Sequence, residues 1–281
     1  MTPQVSVITT VRNGTAYLDA LVESVRSQSI ADWEWIIVDD GSTDRTPEIL
    51  ESLAATDHRI RLVRAGRIGR GRALNLAIEQ SSAPLIAIID ADDVAHPERL
   101  ERQAAVLRSR PTFALLATQT VFFRADQPVW PSLPAGESAP VRDVTASVAY
   151  GNSIVHSSVM MRRDALLAVG GYDASRSGQF DYDLWVRLVA AGYRLGFLEA
   201  PLAGKRFHDN QAFEKRNRLR YLLGAARIQA RAIRVGRAGP ASWLVLLGRF
   251  CWGMLPGYLR NWVRSRFWKV SVDATPRRGH E

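Results

Sequence analysis

Cysteine is almost absent: Cys251 stands alone in 281 residues, which excludes an internal disulfide framework and fits a reducing compartment. Lysine is scarce as well, accounting for three of the 37 basic residues. The longest apolar-rich stretch, 243–259, is broken by Arg249, Pro256 and glycines, and falls short of the roughly 20 apolar residues a spanning helix needs. The N-terminus passes from Met1-Thr2-Pro3-Gln4 straight into Val5-Ser6-Val7-Ile8, without the basic and then apolar leader of a secretory signal. A disulfide-stapled secreted domain and a helical membrane span are therefore not expected. No internal repeat or low-complexity tract is present.

What the chain does have is enough apolar content for a core, at 47%, and a length suited to one large domain with or without an extension. Its net charge of +9 is uneven. Residues 1–204 carry 20 Arg and Lys against 24 Asp and Glu, a net of −4, whereas residues 205–281 carry 17 against 4, a net of +13. So lopsided a segment seeks a polyanion, either a nucleic acid or an anionic lipid surface.

Short β-branched runs at 5–10, 35–38, 60–64 and 85–89 alternate with helical spacing near 17–25, after 44–47 and at 73–80. This alternation predicts a mostly parallel sheet covered on both faces, which binds ligands at the carboxyl ends of its strands. Three polar clusters stand at such ends: 10–13, 39–42 and 90–93. A surface loop is expected over 126–142, a further strand over 158–161, and an amphipathic helix over 183–191 closed by Gly192.

Asp90-Ala91-Asp92-Asp93 follows five apolar residues. Carboxylates clustered on a rigid strand end are hard oxygen ligands suited to Mg²⁺ or Mn²⁺. A capping turn for the helix opened by His96-Pro97-Glu98-Arg99 would need one aspartate, and three together repel each other without a cation. Asp39-Asp40-Gly41-Ser42 lacks the Asp-x-Asp-Gly-Thr spacing of aspartate-nucleophile phosphatases, which excludes that rival.

The runs Val5-Ser6-Val7-Ile8-Thr9-Thr10, Asn13-Gly14 and Val38-Asp39-Asp40-Gly41-Ser42-Thr43-Asp44 open an ordered series. Ala73-Leu74-Asn75, Ile89-Asp90-Ala91-Asp92-Asp93, His96-Pro97-Glu98-Arg99-Leu100, His156-Ser157-Ser158-Val159-Met160 and Asp181-Tyr182-Asp183-Leu184-Trp185 continue it. Over residues 4–210 the chain resembles the family 2 glycosyltransferases. The resemblance implies a GT-A fold, a Rossmann-like α/β sheet with helices on both faces, and inverting transfer from a nucleotide-diphospho-sugar. It places Thr10, Arg12, Asp40, Asn75 and Asp90 on the nucleotide-sugar, and Asp92 with Asp93 on the divalent cation. His208, after the last predicted strand, is a third candidate metal ligand. His156 falls on the acceptor side. The catalytic base falls on Asp181, with Asp183 as the alternative that could instead cap its helix. Phe180 stands where many members have Glu, and Arg12 where they often have Tyr. Arg70 and Arg72 could meet the diphosphate.

A nucleotidyltransferase would carry a glycine-rich phosphate loop in its first turn, where this chain reads Val11-Arg12-Asn13-Gly14. A catalytically silent sugar-nucleotide binder would have lost acidic positions that are all present. The transferase domain is expected over 1–208 and a basic, aromatic helical extension over 209–281. Arg227, Arg231 and Arg234 recur there at helical spacing, and four of the eight tryptophans follow residue 240. Basic faces paired with Trp, Phe and Leu suit an anionic membrane surface. The sequence thus predicts a cytoplasmic enzyme, peripheral on the inner face of the plasma membrane, acting on a glycan or lipid-linked acceptor. No nucleic-acid recognition motif accompanies the basic tail.

Overall fold

The computed structural model describes residues 3–124, 127–133, 139–176, 178–207, 218–260 and 262. The first half alternates strand and helix: β1 (Val5–Val11), α1 (Leu18–Arg26), β2 (Trp33–Asp39), α2 (Thr46–Thr56), β3 (Ile60–Arg64), α3 (Arg70–Gln80) and β4 (Leu85–Ile88). A two-residue β5 (Val94–Ala95), α4 (Arg99–Ser109), β6 (Phe113–Phe123) and β7 (Val141–Asp143) follow. Two 3-10 turns, Thr145–Tyr150 and His156–Ser158, lead into β8 (Met160–Arg162), α5 (Arg163–Ala168), α6 (Phe180–Ala190) and β9 (Arg194–Arg206). The extension contributes α7 (Arg218–Val235) and α8 (Pro240–Met254).

One sheet runs β3-β2-β1-β4-β8-β6-β9-β5, with β7 added on β9. The first four strands of that order are parallel, as the alternation predicts. β8 inserts antiparallel between β4 and β6, while β6 and β9 run parallel to each other. Register explains why the polar clusters meet. Val11 pairs with Asp39 and Ile8 with Ile88, so the chain leaves β1, β2 and β4 along one edge. Asp40, Asn13 and Asp90 all lie just past those ends.

Alternate side chains of each strand enter opposite cores. From β2, Ile36 and Val38 pack with α3 and α6, among them Leu74, Ile78, Leu184 and Trp185. Trp35 and Ile37 pack with Leu18 and Leu21 of α1, Leu50 of α2 and Leu100 of α4. Burial on both faces accounts for strands that read as continuous apolar runs. A buried polar path crosses the sheet: Trp35 Nε1 donates to Thr9 Oγ1 at 3.0 Å, and Thr9 Oγ1 to the Ile89 carbonyl at 2.9 Å.

The extension is anchored in this core. Ile228 and Ala232, four residues apart on α7, belong to the cluster that holds Leu184 and Trp185. Gln229 between them donates to the Ala149 carbonyl at 3.2 Å. α8 lies on α7 through Gly253, where an added Cβ would stand 2.4 Å from Leu222. The opposite side of α8 is apolar and exposed: Leu244 is 70% exposed, and Leu247 and Trp243 are exposed as well. No helix among the described residues is long and apolar enough to cross a membrane.

Candidate active site

The carboxylates of Asp90, Asp92 and Asp93 each present one oxygen within 4.8 Å of the others. Their environments differ. Asp93 is 1% exposed, and both its oxygens accept hydrogen bonds. Ser157 Oγ and Lys205 Nζ (3.2 Å) donate to Oδ2, and the Arg206 amide (3.0 Å) to Oδ1. Burial, with repulsion from Asp90 and Asp92, pushes its carboxyl up to about 6 against the pull of Lys205. Asp90 is less deeply buried; its burial opposes ionisation, yet the Arg70 guanidinium and then His156 hold it well below the usual carboxylate range. Arg70 donates to Asp90 Oδ1, and His156 Nδ1 lies 3.3 Å from the same oxygen. Asp92 is half-buried beside them.

Beneath the cluster, Arg99 is fully buried. It donates to Gln103 Oε1 at 3.0 Å and to the carbonyls of Ile88 at 2.9 Å and Val159 at 3.2 Å. Burial brings its guanidinium down to about 10, with Asp93 and Asp90 resisting, so it remains a cation at neutral pH. The HPERL arginine is thus part of the floor of the site.

The nucleotide-side candidates surround this cluster. Thr10 is half-buried at the end of β1, and Arg12 is exposed in the turn after it. Asp40 Oδ1 accepts from the amides of Ile68 at 2.7 Å and Gly69 at 2.9 Å, which fixes the loop that starts α3. That loop delivers Arg70 to Asp90, whereas Arg72 lies on the exposed face of α3. Asn75 engages the backbone of Tyr172 with both ends of its carboxamide. Its Nδ2 donates to the Tyr172 carbonyl at 2.8 Å, and its Oδ1 accepts from the Tyr172 amide at 2.7 Å. It ties α3 to the loop before α6.

His156, expected on the acceptor side, lies beside Asp90 of the carboxylate cluster. Its Nε2 meets the Tyr172 hydroxyl at 2.8 Å, and its ring packs against Tyr172, Phe180 and Trp185. Phe180 takes part in this packing and also lies under the Arg70 guanidinium. His208 falls outside the described residues.

α6 begins at Phe180, three residues earlier than its periodicity predicts, after Gln179 in a left-handed conformation. Asp181 and Asp183 both lie in its first turn. Asp183 is buried and committed to Arg187 at 2.8 Å and Arg176 at 3.4 Å. Asp181 is partly exposed, its Oδ2 held by Asn152 Nδ2 at 2.8 Å. It faces a cavity of about 990 Å³ bounded by α6, α7 and α8. Asp90, Asp92 and Asp181 all bear electrostatically on Arg70, so Asp181 acts on the same arginine as the carboxylate cluster. Lys205, Tyr172 and Asn152 were not singled out by sequence reasoning. Lys205 alone carried a signal, as one of three lysines in an arginine-rich chain.

Residues 6–170, more than half of the chain, match the family model described as glycosyl transferase family 2. The chain belongs to this family. This family 2 glycosyltransferase is 32% identical over 223 residues to EpsE of Bacillus subtilis, covering 76% of this chain and 77% of EpsE. It is 25% identical over 178 residues to the amylovoran biosynthesis glycosyltransferase AmsE of Erwinia amylovora, covering 63% of this chain and 65% of AmsE. Among solved structures, S. aureus TarS 1–349 in complex with UDP-GlcNAc matches with a TM-score of 0.69 at 20% identity, over 96% of this chain and 77% of TarS 1–349. The mannosyltransferase PcManGT from Pyrobaculum calidifontis, in complex with GDP-Man and Mn²⁺, matches with a TM-score of 0.65 at 20% identity, over 95% of this chain and 76% of PcManGT. The structural matches establish the GT-A fold.

Proposed function

We propose that this glycosyltransferase moves a sugar, with inversion, from a nucleotide-diphospho-sugar to a hydroxyl of a glycan or lipid-linked acceptor in bacterial surface-polysaccharide assembly. The observation that carries the reading is Asp181, fixed by Asn152 and lining a large cavity, with its charge acting on the same Arg70 that binds Asp90. The acceptor oxygen bonds to the anomeric carbon as the bond from that carbon to the diphosphate oxygen breaks. Asp181 takes the hydroxyl proton, and the nucleoside diphosphate departs. Asp183 is spent on two arginines and serves its helix.

The donor set of three carboxylate oxygens fits a hard divalent cation, Mg²⁺ or Mn²⁺. Asp92 and Asp90 would hold it, with Asp93 anchoring the turn from below. Once bound, the cation would offset charge on the diphosphate. Arg70 adds a fixed positive charge at the same place. Asp40 and Asn75 act through the backbone they hold, by setting the loop before α3 and the loop before α6. Thr10 and Arg12 line the nucleoside end.

The biosynthetic setting is supported by the relative that acts in amylovoran biosynthesis. A cytoplasmic position, peripheral on the inner membrane face, is supported by the exposed apolar side of α8 within a strongly basic extension.

A panel of nucleoside diphosphates tests the donor reading by thermal shift with and without Mn²⁺, because binding to the folded state alone must raise its stability. One nucleotide should stabilise the protein more in Mn²⁺ than in EDTA, and Asp92→Asn should abolish the difference. Equal loss of binding in both conditions would show that Asp92 is no metal ligand.

A further inference from the structure

Asp181 is held by one hydrogen bond, and the segment that supplies it has little regular structure of its own. Asn152 follows the 3-10 turn Thr145–Tyr150 and is exposed. Gly151 joins the two at φ +130°, a conformation that residues with a side chain rarely adopt. Asn152 Nδ2 donates to Asp181 Oδ2. Among the described residues no donor reaches Oδ1, which is left to accept a proton.

Three helices grip the end of that turn, one carbonyl each. The Tyr182 hydroxyl of α6 donates to the Val148 carbonyl at 2.7 Å, and Gln229 of α7 to that of Ala149 at 3.2 Å. Arg249 Nη1 of α8 donates to the Tyr150 carbonyl at 2.9 Å. Gln229 and Ala149 are both buried, where an unmade hydrogen bond is costly. α7 also holds the other partner. Gln179, the left-handed residue before α6, donates through Nε2 to the Tyr221 carbonyl at 3.3 Å. The extension therefore grips both sides of the Asn152–Asp181 hydrogen bond. Asp40 and Asp90, by contrast, are held without α7 or α8: Asp40 by the amides of Ile68 and Gly69, Asp90 by Arg70 and His156.

Resting on the assignment of Asp181 as the base, we propose that the extension braces it, with Gln229 and Arg249 as positioning residues that act through the turn and Asn152. A displacement of about 1 Å at a reacting group can cost about 10²-fold in rate. The brace thus sets turnover, while nucleotide affinity rests on the sheet.

Full-length Asn152→Ala, Gln229→Met, Arg249→Met and Arg249→Lys proteins test the proposal. Turnover is read as hydrolysis of UDP-glucose, UDP-N-acetylglucosamine, dTDP-glucose and GDP-mannose, with water as the acceptor. Stabilisation by the matching nucleoside diphosphate and Mn²⁺ reports that each variant folds. Asn152→Ala should cut turnover by about 10- to 10²-fold, and Gln229→Met and Arg249→Met by about tenfold, with donor KM within about threefold. Arg249→Lys keeps a donor and should recover most of the rate. In an Asp181→Asn background the same changes should alter turnover by less than about twofold, because their target is gone. Hydrogen exchange across 145–152 should quicken by about threefold or more in Gln229→Met and Arg249→Met, with β1 and β4 unchanged. Losses that multiply with Asp181→Asn, or a donor KM that rises as turnover falls, would overturn the brace. Unmoved exchange would do so even in a chain that hydrolyses none of the four donors. Full turnover in Asp181→Asn would instead sink the base assignment itself.

Discussion

Ile228 offers a direct test of whether the extension is part of the folded core. The side chain is 2% exposed and packs in the cluster containing Leu184, Trp185 and Ala232. Ile228→Ala removes three carbons, which at about 0.8 kcal/mol each is about 2.4 kcal/mol of transfer free energy. The cavity left behind adds to this, giving an expected loss of about 3 kcal/mol within the 2–5 kcal/mol seen for such truncations. Against a total stability of about 5–15 kcal/mol, this should move a urea midpoint clearly and lower Tm by about 6–12 °C. Leu244→Ala, at a site 70% exposed, is the control and should change stability by less than about 0.5 kcal/mol. A loss below about 1 kcal/mol for Ile228→Ala would mean that α7 is only loosely attached.

Two further outcomes follow. Asp44 is brought down to about 2: burial opposes this, but hydrogen bonds from Thr46 and Thr15 outweigh it. A depressed carboxylate adds stability above its unfolded value near 4 and loses it as pH falls toward 2, so the stability gap between the parent and Asp44→Asn in urea melts should hold from pH 7 to 5 and close between about pH 4 and 2. The full chain should sediment with anionic vesicles and be released only in part by high salt, because apolar insertion is not screened. Trp243→Ser with Trp262→Ser should make that release complete, and a parent chain that ignores the vesicles would refute membrane attachment.

The site was legible in the sequence where strand ends carry it. Polar residues directly after buried β-branched runs had to emerge along one edge of a parallel sheet, and Asp40, Asp90 and Asp92 did. Strands β6 and β9 were not legible. β9 contains Gly196, Pro201 and Gly204, poor strand formers, and its identity comes from pairing with β6 and β7. Hydrogen bonds between distant segments were equally hidden: nothing local tells that Asn75 is spent on Tyr172, or that His156 turns toward Asp90. On α7, the arginines at 227, 231 and 234 drew attention to a charged face. Ile228 and Ala232, one turn apart, marked the opposite, core-facing stripe.

Asp181→Asn, compared with Asp183→Asn, tests the central claim most directly. The substitution keeps the size of the side chain and removes its capacity to accept a proton. Turnover of Asp181→Asn should fall by about 10²-fold or more while nucleotide affinity stays within a few-fold, as for loss of a general base. Asp183→Asn should act chiefly through stability, since it breaks the contacts to Arg187 and Arg176. Surviving turnover in Asp181→Asn, or its collapse in a well-folded Asp183→Asn protein, would contradict the assignment.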